Sequence, residues 1–458
     1  MKFHHLTKGL FLFATAVVLL ATGAKADSNS TPARPSPDWL RSGTVYEIFP
    51  RDFSAAGNLA GITAKLDELK DLGVTILWTM PIHPIGEKCR KGDFGSPYSI
   101  RDYYAVDPNY GTLTDFKALV AGAHQRGMKV IMDIVANHTA WDSVMMTNVN
   151  FYKQDAPGHV IPPVPSWTDV AGLNYNSQEL RQYMIAMLKY WITECDVDGF
   201  RCDVAFMIPT DFWEQVRDAV TKVKPDIMML AEGAEKPELL VKAFDLDYSW
   251  PLLATMNDIL LRAAPASNIR MVCEKISAQS PPNALHLRIS DDHDEARAVA
   301  RYGLNGALAA SALMFTLDGV PLLYNGMEVG DATESGDPAL FDKLTIFWQP
   351  KERPQLRSIY RDLIQLRKQY AAFRTSSVEW LHNSEEAKVV SYIRADGKDE
   401  FLVVINLSNR SVDGKVDLKN TQGFSTVKIS GLNDSDGKPL PSFHLNGFEW
   451  RIYHRTAK

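Results

Sequence analysis

Cysteine is scarce in this chain: Cys89, Cys195, Cys202 and Cys273 are the only four in 458 residues. That is too few for a disulfide framework at this length, and no pair has CxxC spacing. Cys202 lies inside an apolar run and reads as a buried free thiol. No basic run follows the N-terminus, and the net charge of -6 with a pI of about 6.0 excludes a dedicated nucleic-acid binder. That balance suits a neutral substrate. No internal repeat is evident, and no glycine-rich dinucleotide fingerprint follows the first strand-like run. Beyond the N-terminus no stretch is long and apolar enough to span a bilayer, so no membrane insertion is expected.

What is present starts at the N-terminus. Lys2 and Lys8 precede an apolar core over 9–20, and Ala24-Lys25-Ala26 supplies a small-x-small cleavage site. Residues 1–26 therefore read as a secretory signal peptide, with the apolar core too short for a membrane span. No cysteine lies beside the cleavage site, which argues against a lipid anchor. The expected location is outside the cytoplasm, secreted or periplasmic. Residues 27–37, rich in Ser, Pro and Thr, read as a disordered leader.

The body of the chain is 45% hydrophobic and 23% charged, ordinary for a soluble enzyme. Apolar strand-like runs recur at 45–49, 74–80, 130–135, 199–204, 227–231, 285–289 and 320–324, with an eighth at 244–250. Helical patterns lie between them. Leu180, Tyr183, Met184, Met187, Leu188 and Trp191 recur at helical spacing, and Asn176 with Glu179 offers a start signal. Strand–helix alternation means a parallel sheet, and eight strands predict a closed (β/α)8 barrel over 38–374. An open doubly wound sheet is the alternative. The alternation breaks at 139–175, a proline-rich stretch read as a small inserted lobe after the third strand. It breaks again after 374. Short alternating runs punctuated by Asp396-Gly397, Asp413-Gly414 and Asp436-Gly437 predict an antiparallel β-sandwich domain over 375–458.

Chemistry in such a barrel sits at the C-terminal ends of the strands. The third strand runs into Asn137-His138, the fourth into Arg201 and Asp203, the fifth into Glu232, and the seventh into Asp291-Asp292-His293-Asp294. Arg201 and Asp203 share strand parity and point to one side. A structural ion pair is the competing reading of those two residues. Paired carboxylates, with no evident metal cluster and no hydroxyl or thiol nucleophile, point to glycosidic bond chemistry.

These strings resemble the signatures of the α-amylase family, glycoside hydrolase family 13. The matching segments are DIVANH at 133–138, GFRCD at 199–203, LAEG at 230–233 and DDHD at 291–294. Residues 319–328 resemble the family's strand-eight motif, and 95–98 with 102–104 its loop after strand two. The resemblance runs in order from about 44 to 350. It implies a retaining hydrolase of α-glucosidic bonds in α-glucans or maltooligosaccharides. Glycosyl transfer or disaccharide isomerisation by the same chemistry, and a non-catalytic glycan-binding protein, are the alternatives.

By the resemblance, Asp203 is the nucleophile, Glu232 the general acid/base and Asp294 the third carboxylate. Arg201 keeps Asp203 ionised, His138 and His293 bond sugar hydroxyls, and Tyr98 stacks on the sugar. Asp292 stands where asparagine is usual and is expected to raise the pKa of a neighbouring carboxyl. Phe206 stands where starch-cleaving members often carry lysine. Many members hold a structural calcium through the Asn137 position. Here Gly172 and Met207 replace customary ligands, leaving Asp169 as a substitute, so the implied site is weak or absent. No cofactor is expected to be required.

Overall fold

The computed structural model describes residues 31–333, 335–348, 356–430 and 438–456. The expected signal peptide, and positions 27–30 of the leader, lie outside the described residues. Among the described residues no helix is long and apolar enough to cross a membrane.

Eight parallel strands form the core: β1 (Val45–Ile48), β2 (Ile76–Thr79), β3 (Lys129–Ile134), β4 (Gly199–Cys202), β5 (Met228–Ala231), β6 (Leu246–Tyr248), β7 (His286–Arg288) and β8 (Val320–Tyr324). They close in the order β1-β8-β7-β6-β5-β4-β3-β2, so the open sheet is excluded. Every residue of β1, β2, β4 and β5 is buried, because a parallel barrel strand has side chains on one face and helices on the other. Gly199 starts β4 because a Cβ there would meet Met228 O at 2.5 Å. The neighbouring strand leaves no room for any larger residue.

Helices with one apolar face cover the barrel. Leu113–Gln125 begins at a capping box, where the Thr112 hydroxyl and the Asp115 carboxylate each accept the other residue's backbone N–H. In Gln178–Cys195, Leu180, Met184, Met187, Leu188 and Trp191 are buried, and Tyr183 is half-buried. Its N-cap is Ser177, not Asn176, whose own N–H donates to Asn174 Oδ1. The Ser177 hydroxyl takes the Leu180 N–H and starts the helix one residue later.

The long interruption after β3 forms a lobe on the barrel rim. His138–Ala140 pairs antiparallel with Val170–Gly172, with two short 3-10 turns between them. Beyond the barrel, five antiparallel strands and a separate two-stranded sheet make the C-terminal unit. Alternation along its strands is strict. Val390, Tyr392, Phe401, Val403 and Ile405 join the barrel's core, while Val389, Ile393, Leu402 and Val404 form a second core with Phe443 and Leu445.

The leader departs from expectation over its described part. Ala33 N–H donates to Pro282 O, Arg34 N–H to Leu240 O, and Arg34 pairs with the buried Asp245. A fully buried carboxylate must be compensated. Arg34 and Arg217 supply that compensation together, so residues 33–36 are pinned to the barrel rather than disordered.

Candidate active site

β4 ends in the group that organises the pocket. Arg201 is wholly buried, and its guanidinium meets three carboxyls from three strands. Nη1 donates to Asp203 Oδ1 at 2.9 Å and to Asp133 Oδ1 at 3.0 Å, and Nη2 donates to Glu232 Oε2 at 2.8 Å. Asp133 reaches it because β3 and β4 pair Asp133 with Arg201 in register. Nε completes the set at Tyr248 OH, 3.2 Å away. The chain then turns sharply. Val204 sits at φ 37°, a left-handed conformation that strains a β-branched residue by about 1–3 kcal/mol. That turn aims the Val204 N–H at Glu232 Oε2, 2.8 Å away.

One cation cannot neutralise three carboxylates. Burial raises Asp203 to about 6 and Glu232 to about 7, against the pull of Arg201 on both. Asp133 rises to about 6 for the same reason. Arg201 was expected to hold Asp203 ionised. It does lower Asp203, but desolvation outweighs it, and Asp203 stays the more acidic of the Asp203–Glu232 pair. At neutral pH the pocket therefore holds one ionised carboxylate beside one carboxyl that can keep its proton, as acid/base chemistry requires.

The opposite wall comes from β1, β7 and the loop after β2. His293 Nδ1 lies 2.5 Å from Glu47 Oε1, and Nε2 lies 2.6 Å from Tyr98 OH and 3.4 Å from Asp294 Oδ2. Burial disfavours a charged ring, but Asp294 and Glu47 together outweigh it and raise His293 to about 10. Tyr98 also donates to Asp133 Oδ2 at 3.1 Å, which ties the two walls together. Its ring stacks on His293 at 5.4 Å. The Asp294 side chain is 37% exposed, against 11% for Asp203 and 13% for Glu232, so it faces the open mouth. His138 bonds the Tyr98 backbone, and burial lowers it to about 4, leaving a neutral ring.

All seven residues singled out in the sequence thus line one connected site. Four others were given no role from the sequence: Asp133, named only within DIVANH, with Glu47 and Tyr248 inside the site, and Trp167 of the lobe, edge-on to His138 at 5.5 Å. Asp133 and Glu47 carried a readable signal, since an acidic residue inside an apolar strand run demands a partner. Trp167 carried none.

Asp292 behaves differently from the expectation. It is fully buried, Oδ1 accepts the Asp294 N–H at 3.2 Å, and burial drives its own pKa far up. That rise comes first from burial and next from the neighbouring Asp294, so the charged form of Asp292 is disfavoured. The expected calcium position does not fit that ion either. Asn137 Nδ2 points at Met207 Sδ, 3.9 Å away, and Asp169 Oδ1 is 2.7 Å from Lys91 Nζ. A thioether and an ammonium stand where a hard cation needs oxygen. All four cysteines are free thiols.

The family description "Alpha amylase, catalytic domain" matches residues 27–157 and 166–391. A cyclomaltodextrinase of Geobacillus thermopakistaniensis is 28% identical over 428 residues, 82% of this chain and 71% of its own length. The intracellular maltogenic amylase of Bacillus subtilis is 27% identical over 444 residues, 86% of this chain and 73% of its own. Among solved structures, a noncanonic maltogenic alpha-amylase from Thermotoga neapolitana matches with a TM-score of 0.81 and 30% identity, covering 92% of this chain and 100% of that one. An alpha-amylase from Lactobacillus plantarum matches at 0.79 and 31%, covering 91% and 99%. With its barrel spanned by that family description, the chain belongs to the alpha-amylase family.

Proposed function

We propose that this chain is a retaining glycoside hydrolase that cleaves α-glucosidic bonds of linear or cyclic maltodextrins. The observation that carries the reading is the Arg201 guanidinium bridging Asp203 and Glu232. It sets a nucleophile and an acid side by side on adjacent strand ends. Asp203 attacks the anomeric carbon while Glu232 gives its proton to the leaving glycosidic oxygen, which breaks the C–O bond and forms a glycosyl ester on Asp203. Glu232, now a carboxylate, takes a proton from water. The oxygen of that water attacks the anomeric carbon and frees Asp203, so two inversions leave the configuration retained. Asp294, at the mouth, holds sugar hydroxyls more tightly at the transition state. Tyr98, His138 and His293 orient the ring.

Cyclic substrates are included because relatives carry the name cyclomaltodextrinase. A non-catalytic binding role is disfavoured, because Asp203, Glu232 and Asp294 are all in place. The test is NMR of the first product from maltooligosaccharides and cyclodextrin, with starch, sucrose and trehalose in parallel. Release of the α-anomer supports the reading, and release of the β-anomer overturns it. A product longer than the substrate would identify glycosyl transfer.

Export is part of the same proposal and rests on residues 1–26 alone. Two relatives are named as intracellular. N-terminal sequencing of cell-free material is expected to begin near Asp27. A chain that stays in the cytoplasm with Met1 intact would refute this.

A further inference from the structure

Glu47 is a carboxylate in the middle of β1, with no exposed surface at all. Among the described residues no lysine or arginine forms a salt bridge with it, and its side chain's one hydrogen-bond partner is the Nδ1 of His293, 246 residues away in sequence. The other carboxylate oxygen, Oε2, is buried and unpartnered. An anion kept in such a place is costly unless its partner carries the opposite charge.

We propose that Glu47 is a positioning residue for His293. It takes the Nδ1 proton in a hydrogen bond and so keeps a second proton on Nε2, facing Tyr98 and Asp294. The reading rests on the glycosidase assignment for its consequence, but its geometry stands apart from it.

The hydrogen-bond directions follow from one charge. With Glu47 accepting at Nδ1 and the ring doubly protonated, Nε2–H donates to the Tyr98 oxygen 2.6 Å away. The Tyr98 hydroxyl then has its own proton free for Asp133 Oδ2 at 3.1 Å. Asp133 shares Nη1 of Arg201 with Asp203. A single acceptor on β1 therefore sets the direction of a chain that ends beside the nucleophile. With a neutral partner at position 47, Nε2 could lose its proton and become an acceptor, and the chain would reverse.

Other groups around His293 bear on its charge. Trp78 of β2 packs edge-on at 5.9 Å and carries none. Arg201 of β4 opposes the imidazolium, while Asp294 favours it. Asp133 of β3 and Asp292 of the same loop also lie within its field. Burial disfavours the charged form of Asp292, and Asp133 is already paired to Arg201. Glu47 and Asp294 are the two carboxyls in contact with the ring; burial raises Glu47, and the charges of His293 and Arg201 pull it back down. Asp294 is the one exposed to solvent and to substrate, so Glu47 is the constant member.

The experiment is nitrogen-15 NMR of the full chain labelled at histidine, followed from pH 6 to 9, beside kinetics on a maltooligosaccharide. In the wild type, the His293 signals should show both nitrogens protonated through pH 8. In Glu47→Gln the ring should lose a proton below pH 8. kcat/KM should then fall about tenfold to a hundredfold, the scale of one charge-assisted hydrogen bond. His293→Asn combined with Glu47→Gln should be no worse than His293→Asn alone, because one residue acts through the other. Glu47→Asp, which keeps the charge, should keep the ring doubly protonated. A His293 that is neutral at pH 8 in the wild type overturns the proposal without any variant. So does an unchanged titration in Glu47→Gln, or losses that multiply in the double variant. A doubly protonated His293 in a chain inactive on every α-glucan would instead sink the glycosidase reading and leave this one standing.

Discussion

Arg201 and the carboxyls around it make the pH response of the site a matter of a few side chains. Asp203 must be ionised to attack, so activity rises as pH climbs through about 6. Glu232 must be protonated to serve as acid, so activity falls as pH passes about 7. The expected kcat/KM profile is a narrow bell between those values, its two limbs belonging to the coupled pair. A plateau reaching above pH 9 would contradict it. Asp203→Asn and Glu232→Gln should each lower kcat by about 10⁴-fold or more in steady-state assays, the scale of breaking a covalent-catalysis unit. Asp292 yields a stability prediction. Its folded pKa is raised, so its contribution is fully present below the unfolded value near 3.8 and is lost as pH rises. Asp292→Asn removes that loss. Thermal melts should show the variant gaining more over the wild type at pH 7 than at pH 4.

At the scale of elements, the lobe and the C-terminal sheet act in different ways. Trp167 sits on the lobe beside His138 and half-buried, where it can stack on a sugar without touching the carboxyls. Trp167→Ala should raise KM for long maltodextrins several-fold while leaving kcat within about twofold, as loss of uniform binding does. Beside the lobe, Asn137 faces Met207 and Asp169 is paired to Lys91, which leaves calcium short of oxygen ligands there. Chelation with EDTA is therefore expected to leave activity and the melting temperature unchanged, and a fall in either, restored by calcium, would contradict this. In the C-terminal sheet, Phe401 packs on Phe373 at 4.6 Å and on Tyr370 at 4.8 Å. Phe401→Ala should cost about 3–5 kcal/mol of stability. Its kcat at low temperature should stay near wild type, because the site lies on other elements. Denaturant melts and kinetics on the same sample would separate the two effects.

At the scale of the whole molecule, the barrel's core continues into one face of the C-terminal sheet. The inner faces of the strands Val389–Ala395 and Asp399–Asn406 belong to the same apolar cluster as β1 to β8. Tyr392 OH and Thr316 Oγ1, 2.6 Å apart, join that sheet to the long helix before β8. A barrel stripped of residues 375–458 would expose this face to water. The chain should therefore melt in one cooperative transition by calorimetry, and two resolved transitions would show that the units are independent.

The sequence by itself determined the strands, the helices and the order of the reactive groups. Hydrophobic period and turn residues are local properties, so the runs at 45–49, 130–135 and 320–324 emerged within a residue or so of β1, β3 and β8. The acidic ends of β4, β5 and β7 could be placed for the same reason, once eight alternations implied a closed barrel. Where local signals competed, as with Asn176 and Ser177, the helix start slipped by one residue. Only the tertiary structure decided which groups hold protons. Arg201 lies 68 residues from Asp133 and 31 from Glu232, and Glu47 lies 246 from His293. Whether Asp292 presses charge on its neighbours or keeps its own proton depends on how much water the fold leaves around it. Desolvation and the convergence of distant charges arise from chain closure, and no window of sequence contains them.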